Sequence, residues 1–257
     1  MSKTVLEAKH VSLYYNLDFH RQKRFLTRIH SIPIQLQRRL KGQARAERRF
    51  WALQDVSFAV REGEVLGVIG RNGSGKSTLL RVLAGILTPD KGEVIVNGQI
   101  GALLSLGAGF QPVLTGRENI FLRGLVLGFS RGQINEKLHD IIEFSGLERF
   151  IDAPVRSYSS GMRARLGFSI AIHFNPEILL LDEVMAAGDA AFRKHAGNLF
   201  TRFRGEHRTI VICTHNMSQI LENCHHVIWL EQGKIIREGE PKEVVEAYVA
   251  ATEKRRH

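Results

Sequence analysis

Residues Gly70-Arg71-Asn72-Gly73-Ser74-Gly75-Lys76-Ser77 have the spacing of a phosphate cradle: glycine, four residues, then Gly-Lys-Ser. Glycines let the backbone curl so that successive N–H groups turn toward phosphate oxygens. A helix starting at that point adds the positive end of its dipole. In such a loop Lys76 reaches the β- and γ-phosphates of a nucleoside triphosphate, and the Ser77 hydroxyl, with Thr78 beside it, ligates magnesium. About a hundred residues later the apolar run Ile178-Leu179-Leu180-Leu181 ends in Asp182 and Glu183. Leaving a buried strand, Asp182 would meet the metal through a water, and Glu183 would polarise an attacking water as general base. Alone, an apolar strand ending in two acids is more often a strand meeting solvent. Paired with the glycine-rich loop, it reads as catalytic.

The elements that must position these residues follow from periodicity and turn chemistry. Strands are expected near Val5–Tyr14 and Val56–Val60, and the apolar run before Gly70 leads into a helix over Lys76–Ala84. Two more strands, Glu93–Asn97 and Ile100–Leu104, precede a largely helical stretch, Gly116–Gly146, where Ile134, Leu138, Ile141 and Ile142 recur at helical spacing. A helix over Gly161–Phe174 is followed by strand Ile178–Asp182, helix Ala190–Phe203, strand Thr209–Cys213 and helix Met217–Glu222. A hairpin turning at Gln232–Gly233 and a helix beginning near Pro241 close the chain. Strands alternating with helices predict an α/β fold with a largely parallel sheet. The length suits one domain over residues 1–257, with an insertion at 16–50 and a helical subdomain at about 114–175.

Between the two phosphate-site elements stands Tyr158-Ser159-Ser160-Gly161-Met162, continuing Arg-Ala-Arg-Leu-Gly-Phe-Ser. Ala187-Gly188-Asp189 follows Glu183, and His215 follows the strand ending at Cys213. In this order the motifs resemble the ABC ATPase family, whose signature is typically Leu-Ser-Gly-Gly-Gln, over nearly the whole chain apart from residues 16–50. The resemblance implies the P-loop NTPase ABC ATPase fold: a mixed core sheet, a helical subdomain and an N-terminal antiparallel β region. It also implies ATP and Mg²⁺ as ligands, and a head-to-tail homodimer in which each phosphate loop faces the partner's signature. Ser159, Ser160 and the Gly161 backbone would then offer donors and a positive helix end to the γ-phosphate. His215 would contact the same phosphate, and Tyr15, with Tyr14 as its competitor, would stack on adenine. The family usually carries a glutamine about a dozen residues before the Leu-Thr-x-x-Glu-Asn segment, but counting back from Glu118 reaches Leu106. Either the turn Gly107–Gly109 repositions Gln111, or the water is oriented by other groups. We favour the second.

The form Tyr-Ser-Ser-Gly-Met, together with the segment Leu103–Ile120, is similar to a subfamily that exports cell-surface polysaccharides: O-antigen, capsule and teichoic acid transporters. That likeness implies a lipid-linked glycan substrate, a separate polytopic permease and residence on the cytoplasmic face of a bacterial inner membrane. Some members add a C-terminal carbohydrate-binding domain. This chain ends soon after its last expected helix, so glycan recognition would fall to the permease or to surfaces shared with it. The competing readings are the motor of a drug exporter, lipid exporter or importer, and a non-transport ATPase working on nucleic acid. The latter kind carries two ATPase domains or long coiled coils, and neither is present, so no nucleic-acid partner is expected.

Composition limits the rest. An apolar fraction of 44% and a charged fraction of 24% suit a soluble globular chain. No run approaches the ~18 apolar residues of a membrane span, and the N-terminus lacks a signal-peptide core. Cys213 and Cys224 have no CxxC neighbour, so reduced thiols are expected rather than a metal site or disulfide framework. The net charge of +10 is concentrated: Asp18–Arg49 holds ten Lys/Arg against two acids. Within it Phe25, Ile29, Ile32, Leu36 and Leu40 recur at helical steps among Arg24, Arg28, Arg38, Arg39 and Lys41, with Pro33 as a break. This is either a solvated basic appendage or a cationic surface for an anionic membrane or glycan pyrophosphate.

Overall fold

The computed structural model describes residues 3–16, 49–103, 110–174, 176–182 and 205–254. Strands β1 (Thr4–Asn16), β2 (Arg49–Arg61) and β4 (Lys91–Val96) form an antiparallel sheet in the order β2-β1-β4. The second sheet takes β3 (Val65–Ile69), β5 (Ile100–Leu103), β6 (Ile178–Asp182), β7 (Thr209–Cys213), β8 (His226–Glu231) and β9 (Lys234–Gly239) in the order β5-β6-β7-β3-β8-β9. Its first five strands are parallel, and β9 returns antiparallel to β8 through the turn at Gln232–Gly233. Both β1 and β2 run further than their apolar patterns suggest, meeting at the pair Asn16↔Arg49. Between them, residues 17–48, nearly all of the basic segment, lie outside the described residues, as does the expected helix Ala190–Phe203.

Every residue of β3 and of β7 is buried, as expected of strands covered on both faces. Alternation along β3 divides the core. Leu66 and Val68 face the antiparallel sheet and the apolar side of helix α1 (Lys76–Leu83), meeting Leu79, Leu80 and Leu83. Val65 and Ile69 face the opposite layer, built by α4 (Ser160–His173), α5 (Met217–Asn223) and α6 (Pro241–Lys254) through Phe168, Ile172, Ile220, Val244 and Val245. Gly67 lets α5 come close: a Cβ there would lie 2.8 Å from Ile220 Cδ1 and 2.9 Å from Cys224 Sγ. The same apolar contact pushes the Cys224 thiol up to about 12.

Helices α2 (Gly116–Val126) and α3 (Arg131–Ser145) build a separate apolar cluster with α4 around Ile120, Ile134, Ile141, Leu147, Leu166 and Ile170. Helix α4 therefore works on two sides: Phe168, Ala171 and Ile172 pack on the parallel sheet, while Leu166, Ile170 and Phe174 pack on α2 and α3. The expected helical stretch is broken after Val126, where Gly128 takes φ 87 and Ser130 starts α3 as its N-cap.

The segment Leu114–Asn119 has a local reason for its composition. Thr115 caps α2, its hydroxyl accepting from the Glu118 N–H at 3.1 Å while Glu118 Oε2 accepts from the Thr115 N–H at 2.8 Å. The Thr115 N–H and the Thr115 hydroxyl, which donates at 2.9 Å, both reach Glu118 Oε2 and hold the carboxyl below the usual carboxylate range. Asn119, fully buried, accepts from the Gln111 N–H at 2.8 Å and donates to the carbonyls of Gln111, Leu114 and Thr115 at 3.1, 3.2 and 2.8 Å. It staples the turn before α2 to the helix itself. Asn119→Leu keeps the branched heavy-atom skeleton but strands those backbone groups, and should lower the unfolding free energy by about 1–3 kcal/mol in urea titrations. Unchanged stability would show that the staple carries none of the turn.

Candidate functional site

The buried run of β3 ends at Gly70, and the chain then turns through Gly70, Gly73 and Gly75 at φ 153, 79 and 109 before α1 begins. Two of these glycines are required by crowding as well as by φ. A Cβ on Gly70 would collide with the Leu230 carbonyl oxygen, and one on Gly75 would lie 2.5 Å from that of Ala52. The loop is also braced from outside. The Gly233 N–H, in the β8–β9 turn, donates to the Ser74 carbonyl at 2.9 Å. Gln54 of β2 holds that turn, its N–H donating to Gly233 O at 2.8 Å and its side-chain amide to Gln232 O at 3.1 Å.

Inside the loop, Lys76 is 6% exposed, and its ammonium donates to the carbonyls of Gly70 at 2.7 Å and Arg71 at 3.1 Å. Both partners are neutral. Among the described residues no carboxylate stands within ion-pair distance of it. Ser74, 4% exposed, has a buried hydroxyl without a hydrogen-bond partner. A buried cation without a counter-charge is expensive, and an arriving anion relieves it.

The loop borders a cleft of about 420 Å³, within the range of small-ligand sites. Asn72, Gly73, Gly75, Lys76, Ser77 and Thr78 line it, with Arg81 further along α1, Asp182 from the end of β6, and Tyr15, Phe50 and Ala52 from β1 and β2. Strands β3, β6 and β7 are parallel, so Gly70, Asp182 and the segment after Cys213 leave the sheet at the same edge. That is where open α/β sheets bind ligands. Cationic and anionic groups on one wall, beside a glycine-lined turn, suit a triphosphate chelated to magnesium. The Ser77 hydroxyl and the Asp182 carboxylate are the oxygen donors such a metal takes.

The expected residues divide into three groups. Tyr15, Asn72, Gly73, Gly75, Lys76, Ser77, Thr78 and Asp182 line the cleft; Gly70, Arg71 and Ser74 form the loop behind it. Ser159, Ser160, Gly161 and His215 do not border it. His215 is exposed, two residues beyond β7, and Ser159 and Ser160 are exposed at the start of α4. Glu183, the D-loop-like Ala187–Asp189 and Leu106 lie outside the described residues. Gln111 is exposed and absent from the cleft lining, its backbone fixed by Asn119.

Register separates the two neighbouring tyrosines. Tyr15 pairs with Phe50, and both border the cleft. Tyr14 pairs with Trp51 instead, the rings meeting edge-on at 5.3 Å with the Arg49 guanidinium 4.7 Å over the Tyr14 ring. Three contributors escaped sequence reasoning. Phe50 could have been found as an aromatic alternating with Trp51 in a strand, and Arg81 from its spacing of three and four residues from Thr78 and Ser77. The Gln54–Gly233–Ser74 brace joins residues far apart in the chain and leaves no local signal.

The signature turn is built with equal care. Tyr158 is buried, its hydroxyl donating to the Phe150 carbonyl at 2.7 Å, and burial pushes its phenol up. Ser159 is the N-cap of α4, its Oγ accepting from the Met162 N–H at 3.1 Å. That leaves its hydroxyl hydrogen free to be donated to an anion.

Against known proteins, residues 53–186 match the family model described as ABC transporter. The chain is 45% identical over 204 residues to an O-antigen export system ATP-binding protein RfbB of Klebsiella pneumoniae, covering 79% of this chain and 83% of that one. It is 44% identical over 208 residues to the protein of the same name from Myxococcus xanthus, covering 81% of this chain but spanning about half, 48%, of that relative. A teichoic acids export ATP-binding protein TagH of Listeria innocua is 44% identical over 199 residues, with 77% and 59% covered. Among solved structures, a dimeric bacterial ABC transporter cassette, MJ0796, superposes at a TM-score of 0.70 with 22% identity, over 92% of this chain and 98% of that one, and so shares its fold. The family model reaches from β2 through the phosphate loop, signature and β6 to residue 186, and on that span and the identity to the Klebsiella relative, the chain belongs to the ABC transporter family.

Proposed function

We propose that this chain is the ATP-hydrolysing subunit of an exporter that moves a lipid-linked cell-surface polysaccharide through a separate permease. It would work as a homodimer at the cytoplasmic face of a bacterial inner membrane. The observation that carries the ATPase half is the Lys76 ammonium, buried against neutral carbonyls in a glycine cradle beside Ser77 and Asp182. The names of the O-antigen and teichoic acid relatives support the export half. No helix among the described residues is long and apolar enough to cross a membrane, which fits a membrane path supplied by another chain. The basic segment before β2 would add attraction to anionic headgroups.

The chemistry assigned to the residues is direct. Lys76 exchanges its loop carbonyls for phosphate oxygens, and the N–H groups opening α1 face the same charge. Ser77 and Asp182 would hold magnesium, which would supply charge neutralisation when bound. Tyr15 and Phe50 offer the nucleobase an aromatic wall. Glu183 takes the proton of the attacking water, and His215 contacts the terminal phosphate. Because Ser159 stands outside its own chain's cleft with a hydroxyl hydrogen to donate, it would serve the cleft of a second copy.

Glu183→Gln should retain ATP affinity while hydrolysis falls about 10²- to 10⁴-fold in phosphate-release assays, with ATP-bound dimer accumulating. Lys76→Ala should weaken nucleotide binding itself. Hydrolysis at the wild-type rate in Glu183→Gln would remove the general-base assignment.

Mixing a Lys76→Ala subunit with a Ser159→Arg subunit places both defects on one composite site and leaves the other whole. ATPase activity should return in the mixture, though neither parent has it. No recovery at any mixing ratio, together with a nucleotide-bound structure showing Ser159 on its own chain's phosphate, would refute the shared-site arrangement.

A further inference from the structure

We infer that Arg163 is a positioning residue for the signature, aiming the N–H groups of Ser159 and Ser160 at the nucleotide held by a second copy. The inference rests on the shared-site reading proposed above. Arg163 grips the peptide units on both sides of Ser159. Its guanidinium Nη1 donates to the Tyr158 carbonyl at 2.6 Å, and its own N–H donates to the Ser159 carbonyl at 3.1 Å.

Peptide geometry turns those two bonds into an aiming device. In a planar trans peptide the C=O and the following N–H point in opposite directions. Drawing the Tyr158 carbonyl back toward α4 therefore sends the Ser159 N–H away from the helix. Drawing the Ser159 carbonyl into the first helical bond does the same for the Ser160 N–H. Both N–H groups then face outward beside the Ser159 hydroxyl, whose own lone pair is committed to Met162.

The Ser159 bond is the ordinary first bond of a helix, which any residue at position 163 would make. The Tyr158 bond is not. It needs a side chain with a donor that reaches back past the helix start, and from a guanidinium it is a charge-assisted bond of the stronger kind. Tyr158 is fixed from its other end as well, by its hydroxyl on Phe150 O and its N–H on Val155 O at 3.0 Å. Only its carbonyl needs holding, and Arg163 is half-buried at the place to do so. The same guanidinium adds positive charge beside the helix end that receives the terminal phosphate.

The test uses full-length protein carrying Glu183→Gln, so that ATP-bound dimer persists, and compares it with Glu183→Gln plus Arg163→Met, which keeps the aliphatic stem, or Arg163→Lys. Dimer dissociation constants with ATP come from sedimentation equilibrium, nucleotide affinity from titration of dilute monomer with a fluorescent ATP analogue, and Tm from thermal melts. Misaiming that costs one signature hydrogen bond to the phosphate held by the second copy is worth roughly tenfold at each site. With two symmetric sites, Arg163→Met should weaken the dimer about a hundredfold, leaving monomer nucleotide affinity and Tm near the parent values. Arg163→Lys should fall between. Unchanged dimerisation in Arg163→Met, with Ser159→Arg still abolishing it, would overturn the role of Arg163 and leave the shared site standing. A loss that tracks a fall in Tm or in monomer affinity would reduce Arg163 to a packing residue. Failure of the Glu183→Gln parent to dimerise with ATP would remove the shared site and this inference together.

Discussion

The cleft depends on one close approach of backbones around the Ala52 carbonyl oxygen. A Cβ on Gly75 would come within 2.5 Å of that oxygen, and one on Gly233 within 2.6 Å. Only two residues without side chains let the phosphate loop and the β8–β9 turn close on β2 from two directions. Once they meet, backbone hydrogen bonds from Gln54 to Gly233 and from Gly233 to Ser74 lock the three segments together. The loop's shape is thus a property of the fold and not of the loop alone. A flexible glycine-rich turn would otherwise lose much conformational entropy on gripping a ligand.

That junction explains why two sheets are needed. The parallel sheet delivers Gly70, Asp182 and the segment after Cys213 to one edge, as doubly covered parallel strands do. The antiparallel sheet contributes no charge to the cleft. It provides the Ala52 backbone and the paired aromatics Tyr15 and Phe50. Residues binding phosphate and residues suited to a flat base therefore arrive from different layers, joined at Ala52 and Gly233.

A second junction, helix α4, serves the signature. Its buried residues divide between the sheet layer and the α2–α3 cluster, so both layers fix the position of its N-terminus. The turn before it is held by Tyr158 on Phe150 and by Arg163 on Tyr158. The substitutions away from Leu-Ser-Gly-Gly-Gln keep the Ser159 cap, while position 158 gains a hydroxyl that anchors the turn to the chain eight residues upstream.

Much was legible in the amino-acid sequence because the physics involved is local. The phosphate loop is a run of consecutive residues whose glycines and lysine act within a single turn. Fully apolar runs such as Ile178–Leu181 and Ile210–Cys213 announce doubly covered strands at the positions where β6 and β7 stand. Tertiary structure alone decided what depends on register and on meetings between distant segments. Strand pairing, which sends neighbouring residues to opposite faces, put Tyr15 beside Phe50 at the cleft and Tyr14 beside Trp51 away from it. The brace on Ser74 comes from a turn nearly 160 residues later, and Gln111 is held through a side chain, Asn119, that only folding buries. Such contacts leave no periodicity or spacing in the chain, because they depend on which segments folding brings together.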